Sequence, residues 1–212
     1  MANDLAKKGT GMRDLAKTYK MGQKFLRAKQ PTETEIISVL TSPDKKVQKI
    51  GLAAMSLKPI ETDRLIDILF EFMRDSDPEF RWYSKASLLK FTKFPEVRKP
   101  YLGKQLLEMV KNEKENEFAL EDFLLLAKFP SVEAALFLTE QLMKEGKEKQ
   151  RLFRYIAFKS LKEMGDSYYD QAAEYVNAHS SPEIKEELLG WEKWYEEKNQ
   201  SEKNRNIFKS TR

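Results

Sequence analysis

Residues 88–95 read Leu88-Leu89-Lys90-Phe91-Thr92-Lys93-Phe94-Pro95, and residues 123–130 read Phe123-Leu124-Leu125-Leu126-Ala127-Lys128-Phe129-Pro130. Each is the end of an apolar helical run closed by an aromatic residue and a proline. Lys58-Pro59 and Met164-Gly165 close two further runs in the same manner. The closing residues lie 36, 35 and 35 positions apart. Proline and glycine punctuate helices, because one removes a backbone donor and clashes with the preceding turn and the other adopts conformations a helix excludes. Self-similarity at this period predicts helix pairs stacked as an all-α, right-handed α-solenoid of about five pairs.

Working outward from the closing residues, the pairs are expected at 33–41 and 44–57, 61–74 and 78–93, 97–111 and 115–128, 131–144 and 148–164, and 167–178 and 182–198. Proline stands at the first helical position at Pro78 and Pro182, where its missing N–H is not needed, and Asp77 and Ser181 precede them as N-caps. Aligned on the closing residue, the second helices fall into columns. Met55, Phe91, Leu126 and Leu161 lie four positions before it. Leu52, Leu88, Phe123 and Phe158 lie seven before, and Val47, Tyr83, Phe118 and Phe153 twelve before. These offsets share one helical stripe, the predicted buried seam. The column eight before holds Gly51, Ser87, Asp122 and Ala157. Three of the four are small, as a close helix crossing requires.

Asp77-Pro78-Glu79-Phe80-Arg81, followed by Ala86 and Leu88, resembles the Asp-Pro-x-Val-Arg signature that opens the second helix of HEAT repeats. Ser181-Pro182-Glu183-Ile184-Lys185 with Leu188-Leu189 echoes it, and Pro43-Asp44 ahead of Val47, Ala53 and Ala54 does so more loosely. The third and fourth pairs match in apolar spacing alone. The resemblance spans about residues 32–198. It implies a scaffold that binds other proteins, with nucleic-acid binding as the lesser habit of the family.

Composition narrows the chemistry. The 212 residues contain no cysteine, which excludes disulfides and thiolate sites. The single histidine, His179, sits in a turn before Ser180-Ser181-Pro182 and reads as solvated rather than catalytic. Carboxylates are scattered as on ordinary helix faces. Gly9-Thr10-Gly11 follows Lys7-Lys8 without a strand before it, so a phosphate loop is not indicated. No catalytic residue, cofactor or metal is expected. No apolar run reaches signal-peptide or membrane-spanning length, and the reading is a soluble, cytoplasmic chain.

Charge is uneven. Residues 1–31 carry eight Lys/Arg and two Asp, a net +6, and residues 199–212 carry a net +3. The overall +4 therefore leaves −5 for residues 32–198. Three regions follow: a basic segment 1–31 with a capping helix over about 12–29, the repeat region 32–198, and a basic tail 199–212 without order. The capping helix has Met12, Leu15, Tyr19 and Leu26 on one face. The basic ends open a second route, contact with nucleic acid.

The expected partner-binding residues are Arg81, Trp82, Tyr83, Lys85, Asp122 and Arg154. Second helices line the inner face of such stacks, and aromatic residues beside arginine are frequent binding anchors. Along that face Lys45, Lys46, Lys49, Arg81 and Lys85 form a basic zone, Glu117 and Glu121 an acidic one, and Arg151 and Arg154 a second basic one. Asp122 interrupts the small-residue column, and an ion pair with Arg154 of the next repeat would satisfy it. The HEAT-like alkylpurine DNA glycosylases offer an enzymatic alternative, since they place Asp, Trp and Arg in one cleft. Here Asp122 and Arg154 would stand for two of the three. The residue one turn before Asp122 is Phe118, and the nearest second-helix tryptophan is Trp82. Trp191 and Trp194 on the last helix are expected to cover the end of the stack.

Overall fold

The structure is a computed structural model that describes residues 16–27, 31–112, 120–146 and 148–210. Those residues form helices and turns with no strand. Helix α1 covers 16–27, followed by α2 (Glu33–Leu40), α3 (Lys45–Leu57), α4 (Asp63–Phe72), α5 (Pro78–Leu89) and α6 (Lys99–Asn112). Then come α7 (Leu120–Ala127), α8 (Val132–Leu142), α9 (Glu148–Met164), α10 (Asp166–His179) and α11 (Pro182–Ser210). The expected positions Met12, Leu15, Glu117 and Phe118 and the Gly9–Gly11 stretch lie outside the described residues. The chain divides into two compact units, Met1–Leu102 and Gly103–Arg212, with the boundary inside α6.

Helices α2 to α5 begin where a side chain can meet the unpaired amides of the first turn. Thr32 closes a capping box with Glu35, Asp44 accepts from the Lys46 amide, and Thr62 accepts from Leu65. Asp77 accepts from the Glu79 amide, with Pro78 at the first helical position. Within this unit α2 packs on α3, α4 on α5, and α3 on α5. Helix α1 adds to α3 from another side. A Cβ on Gly22 would stand 2.9 Å from the Ala53 Cβ and 2.9 Å from the Ala54 amide nitrogen, so only glycine permits this approach. All six residues from Gly51 to Ser56 are buried, which requires neighbours around the whole circumference of α3.

The end of α5 differs from expectation. Helix α5 ends at Leu89 rather than at 93. The carboxylate of Glu61 accepts from the amides of Thr92 and Lys93 at 2.9 and 3.2 Å, so these donors are satisfied outside a helix. The freed segment turns Phe91 and Phe94 inward as a stacked pair with ring centroids 5.6 Å apart.

In the second unit α7 and α8 pack on α9, α10 packs on α8 and α9, and α10 touches α11. Gly165, with φ +121°, separates α9 from α10 by a single residue, a conformation that L side chains rarely adopt. The aromatic residues of α11 close over α9: Trp191 lies 5.7 Å from Tyr155 and 5.9 Å from Phe158, and Tyr195 lies 6.0 Å from Phe158. Helix α11 runs to Ser210, past the expected end of the last helix at 198. No proline or glycine follows Gly190, and the Glu, Lys and Gln residues there are strong helix formers.

The seam columns are buried as expected. Met55, Phe91, Leu126 and Leu161 are inaccessible, as are Leu52, Leu88, Phe123 and Phe158. In the twelfth column Tyr83 and Phe153 are buried, while Val47 is half-buried.

Candidate functional site

Four of the six expected contact residues are enclosed. Tyr83, Lys85, Asp122 and Arg154 are all buried and present no surface to a partner. Burial pushes the Tyr83 phenol up to about 12, with Glu79 and Tyr19 of α1 adding to the shift. Arg81 reaches back along its own turn, and its Nη1 donates to the carbonyls of Asp75 and Ser76 at 2.9 and 3.1 Å. Arg81 thus ties down the loop that opens α5. Trp82 alone of the six keeps a large exposed area, 40%, with its ring edge-on to Tyr83.

Arg154 does not pair with Asp122. Its Nε and Nη2 donate to Glu187 of α11 at 2.9 and 2.7 Å, and its Nη1 donates to the Lys144 carbonyl at 2.8 Å. A buried guanidinium needs this full set, because leaving it unpaired would cost several kcal/mol. Glu187 also accepts Arg151 at 3.3 Å. Asp122 and Arg154 are both enclosed.

Part of the expected basic zone of the first unit is neutralised internally, while Lys46 stays exposed. Lys49 lies 2.8 Å from Asp77 and 3.0 Å from Glu79, and Lys45 lies 3.9 Å from Asp75. Partial burial pushes the Asp77 carboxyl up, but the Lys49 contact and the Glu79 amide outweigh it and hold it below the usual carboxylate range. Burial likewise works against the Lys49 ammonium, yet its two carboxylates leave its pKa raised. Lys49 thus ties adjacent helices together, while the Lys45 side chain stays largely exposed.

One accessible feature of the second unit has no counterpart in the sequence analysis. Between α8 and α10 runs a groove of about 490 Å³. This falls in the range of about 300–1,000 Å³ typical of binding pockets. Its floor contains the buried Ala135 and Ala172, and Tyr168 contributes to its wall. Val132, Leu136 and Tyr175 line it while remaining 63%, 60% and 52% exposed. The signal was present as apolar residues at 132, 136 and 175 with no place in the seam. It was missed because the expected site was sought on second helices, whereas α8 and α10 are the first helices of their pairs. A shallower hollow is lined by Arg151, Leu152, Tyr155 and Trp191.

Among the described residues no group of acidic and histidine side chains is arranged to hold a metal ion, and no helix is long and apolar enough to cross a membrane. His179 stacks on Tyr175 with ring centroids 4.3 Å apart, and its Nδ1 lies 2.9 Å from the Tyr175 carbonyl. No family model matches the chain, and no curated protein or solved structure is significantly similar to it.

Proposed function

We propose that this chain is a non-enzymatic HEAT-like repeat scaffold that binds a protein partner. In this reading its helix pairs form a right-handed solenoid closed at the start by α1, and the protein works in the cytoplasm. The observation that carries the binding reading is the groove between α8 and α10, with three large apolar side chains more than half exposed along it. A contiguous exposed apolar surface with a polar margin is characteristic of interaction sites. A pre-formed groove on helices also spares the cost of ordering loops on binding. The contact surface is therefore moved from the second-helix residues to α8 and α10, and Trp82 is kept as a separate exposed anchor in the first unit.

A second reading has its own observation. Lys17, Lys20, Lys24 and Arg27 lie on α1, beside the exposed Tyr19 and Met21. This surface suits a nucleic-acid backbone, with affinity that falls steeply as salt rises.

Capture from source-cell lysate with the full chain and its Leu136→Asp variant, with and without nuclease, separates the two. The scaffold reading expects a protein retained by the wild type after nuclease and released by the variant. Recovery of nucleic acid alone, equally by both, would replace it with the second reading.

A further inference from the structure

The groove between α8 and α10 carries more information than its apolar lining. Helices α8 and α10 together contain five carboxylates, Glu133, Glu140, Asp166, Asp170 and Glu174, and no lysine or arginine. This stands out in a chain with 38 basic residues and a net charge of +4. Glu140 lines the groove, and Glu133 lies two turns before it on the same stripe of α8. On α10, Glu174 continues the stripe of Ser167 and Gln171, both of which line the groove. Both margins therefore carry exposed carboxylates above an apolar floor. The one basic titratable group on either helix is His179, at the last position of α10.

The shape of the site selects the backbone of its occupant. Backbone amides and carbonyls inside α8 and α10 are consumed by the helices themselves. An extended peptide in this groove would bury its own amides without partners, which is costly. A helix satisfies them internally. The small floor residues Ala135 and Ala172 admit a third helix at the usual separation of about 8–10 Å. The 11 residues of α8 and 14 of α10 offer a bed about 16–21 Å long, three to four turns of helix.

We infer that this groove is the docking site for a cationic amphipathic helix of a partner protein, with apolar residues at i, i+3 or i+4, and i+7 seated against Leu136 and Tyr175 and flanking Lys or Arg meeting Glu133, Glu140 and Glu174. The inference rests on the protein-binding reading of the same groove. It is the helix-in-groove mode of recognition, with charge setting orientation and encounter rate.

The test uses the full chain and three labelled 18-residue probe peptides in fluorescence anisotropy. The first places Leu at helical spacing among Lys, the second replaces every Lys by Glu, and the third scrambles the first so that periodicity is lost. The helical Leu/Lys peptide is expected to bind at least about tenfold more tightly than either of the others. Leu136→Asp is expected to weaken it by about tenfold or more. The double substitution Glu140→Lys/Glu174→Lys is expected to weaken the Lys peptide and strengthen the Glu peptide. That gain cannot arise from misfolding. Equal affinity for the Lys and Glu peptides, or for the helical and scrambled ones, would overturn the inference. So would an absent charge swap. A photo-crosslinking residue in place of Leu136 then distinguishes this failure from that of the broader reading. A crosslink in lysate to a basic helical segment supports the inference. A crosslink to an acidic or extended segment removes it and leaves protein binding intact. A crosslink to a second copy of this chain also removes it. No crosslink, together with no peptide binding, removes both.

Discussion

Arg154 is the side chain whose surroundings say most about how the second unit holds together. It is buried, yet its guanidinium donates to one carboxylate and one carbonyl from two different segments. Glu187→Ala would leave that charge enclosed without its counter-ion. The expected loss is about 3–5 kcal/mol in urea unfolding, whereas Arg154→Met/Glu187→Leu should recover much of it. Asp77 provides a second case, as the N-cap of α5 and an ion-pair partner of Lys49. Asp77→Ala is expected to cost about 0.5–2 kcal/mol at neutral pH. The sign of its pH dependence follows from a folded pKa below the unfolded one. The contribution is present above the unfolded value of about 3.9 and is lost as pH falls through the folded value. Wild type and variant should therefore converge in stability in acid titrations below about pH 4. A difference that persisted there would assign the effect to something other than the carboxylate. At this scale the sequence identified Asp77 and Arg154 as notable but misassigned the partner of Arg154. Asp122 and Glu187 are both carboxylates about one repeat from Arg154. Spacing along the chain cannot choose between them, because the choice depends on which helix face reaches the guanidinium.

At the scale of the helices, two glycines make opposite predictions from the same substitution. Gly165 joins α9 to α10 at φ +121°, and a Cβ there would meet no atom within 4 Å. Space is not the obstacle to Gly165→Ala; backbone conformation is, and the expected cost is about 1–3 kcal/mol. Gly190 lies inside α11, exposed, and a Cβ there would likewise meet no atom within 4 Å. Gly190→Ala should stabilise by about 0.5–1 kcal/mol, because the unfolded chain loses freedom and the helix gains propensity. Thermal unfolding of the two variants beside the wild type checks both signs. The early end of α5 belongs to this scale too. Local propensity allowed the helix to continue to Lys93, and Glu61, 31 residues upstream of Thr92, takes two amides beyond its end. Docking of α1 through Gly22 onto Ala53 and Ala54 was equally hidden, since no periodicity in 16–27 marks where another helix approaches.

For the molecule as a whole, the tryptophans report separately on the two compact units. Trp82 is the one tryptophan of the first, and Trp191 and Trp194 belong to the second. Compact units with their own internal contacts can open separately. Glu187→Ala is therefore expected to lower the urea midpoint reported by Trp191 and Trp194 in a Trp82→Phe background more than the midpoint reported by Trp82 with the other two replaced by Phe. Equal shifts would mean that the chain unfolds as one cooperative body. The uneven charge belongs to this level as well. A chain that is basic overall carries two neighbouring helices without a single Lys or Arg, and that contrast appears only when α8 and α10, separated in sequence by α9, are set side by side.

The sequence by itself determined the all-α class, most helix positions to within a few residues and the buried seam, because helix periodicity, caps and proline stops are local properties. Tertiary structure alone decided which faces remain open. Lys85 was expected on the contact surface and is enclosed by the elements around α5, while Val132, Leu136 and Tyr175, which have no place in the seam, border a groove. Whether a side chain is accessible depends on what the rest of the chain places over it. That is a sum over distant neighbours which no window of sequence contains.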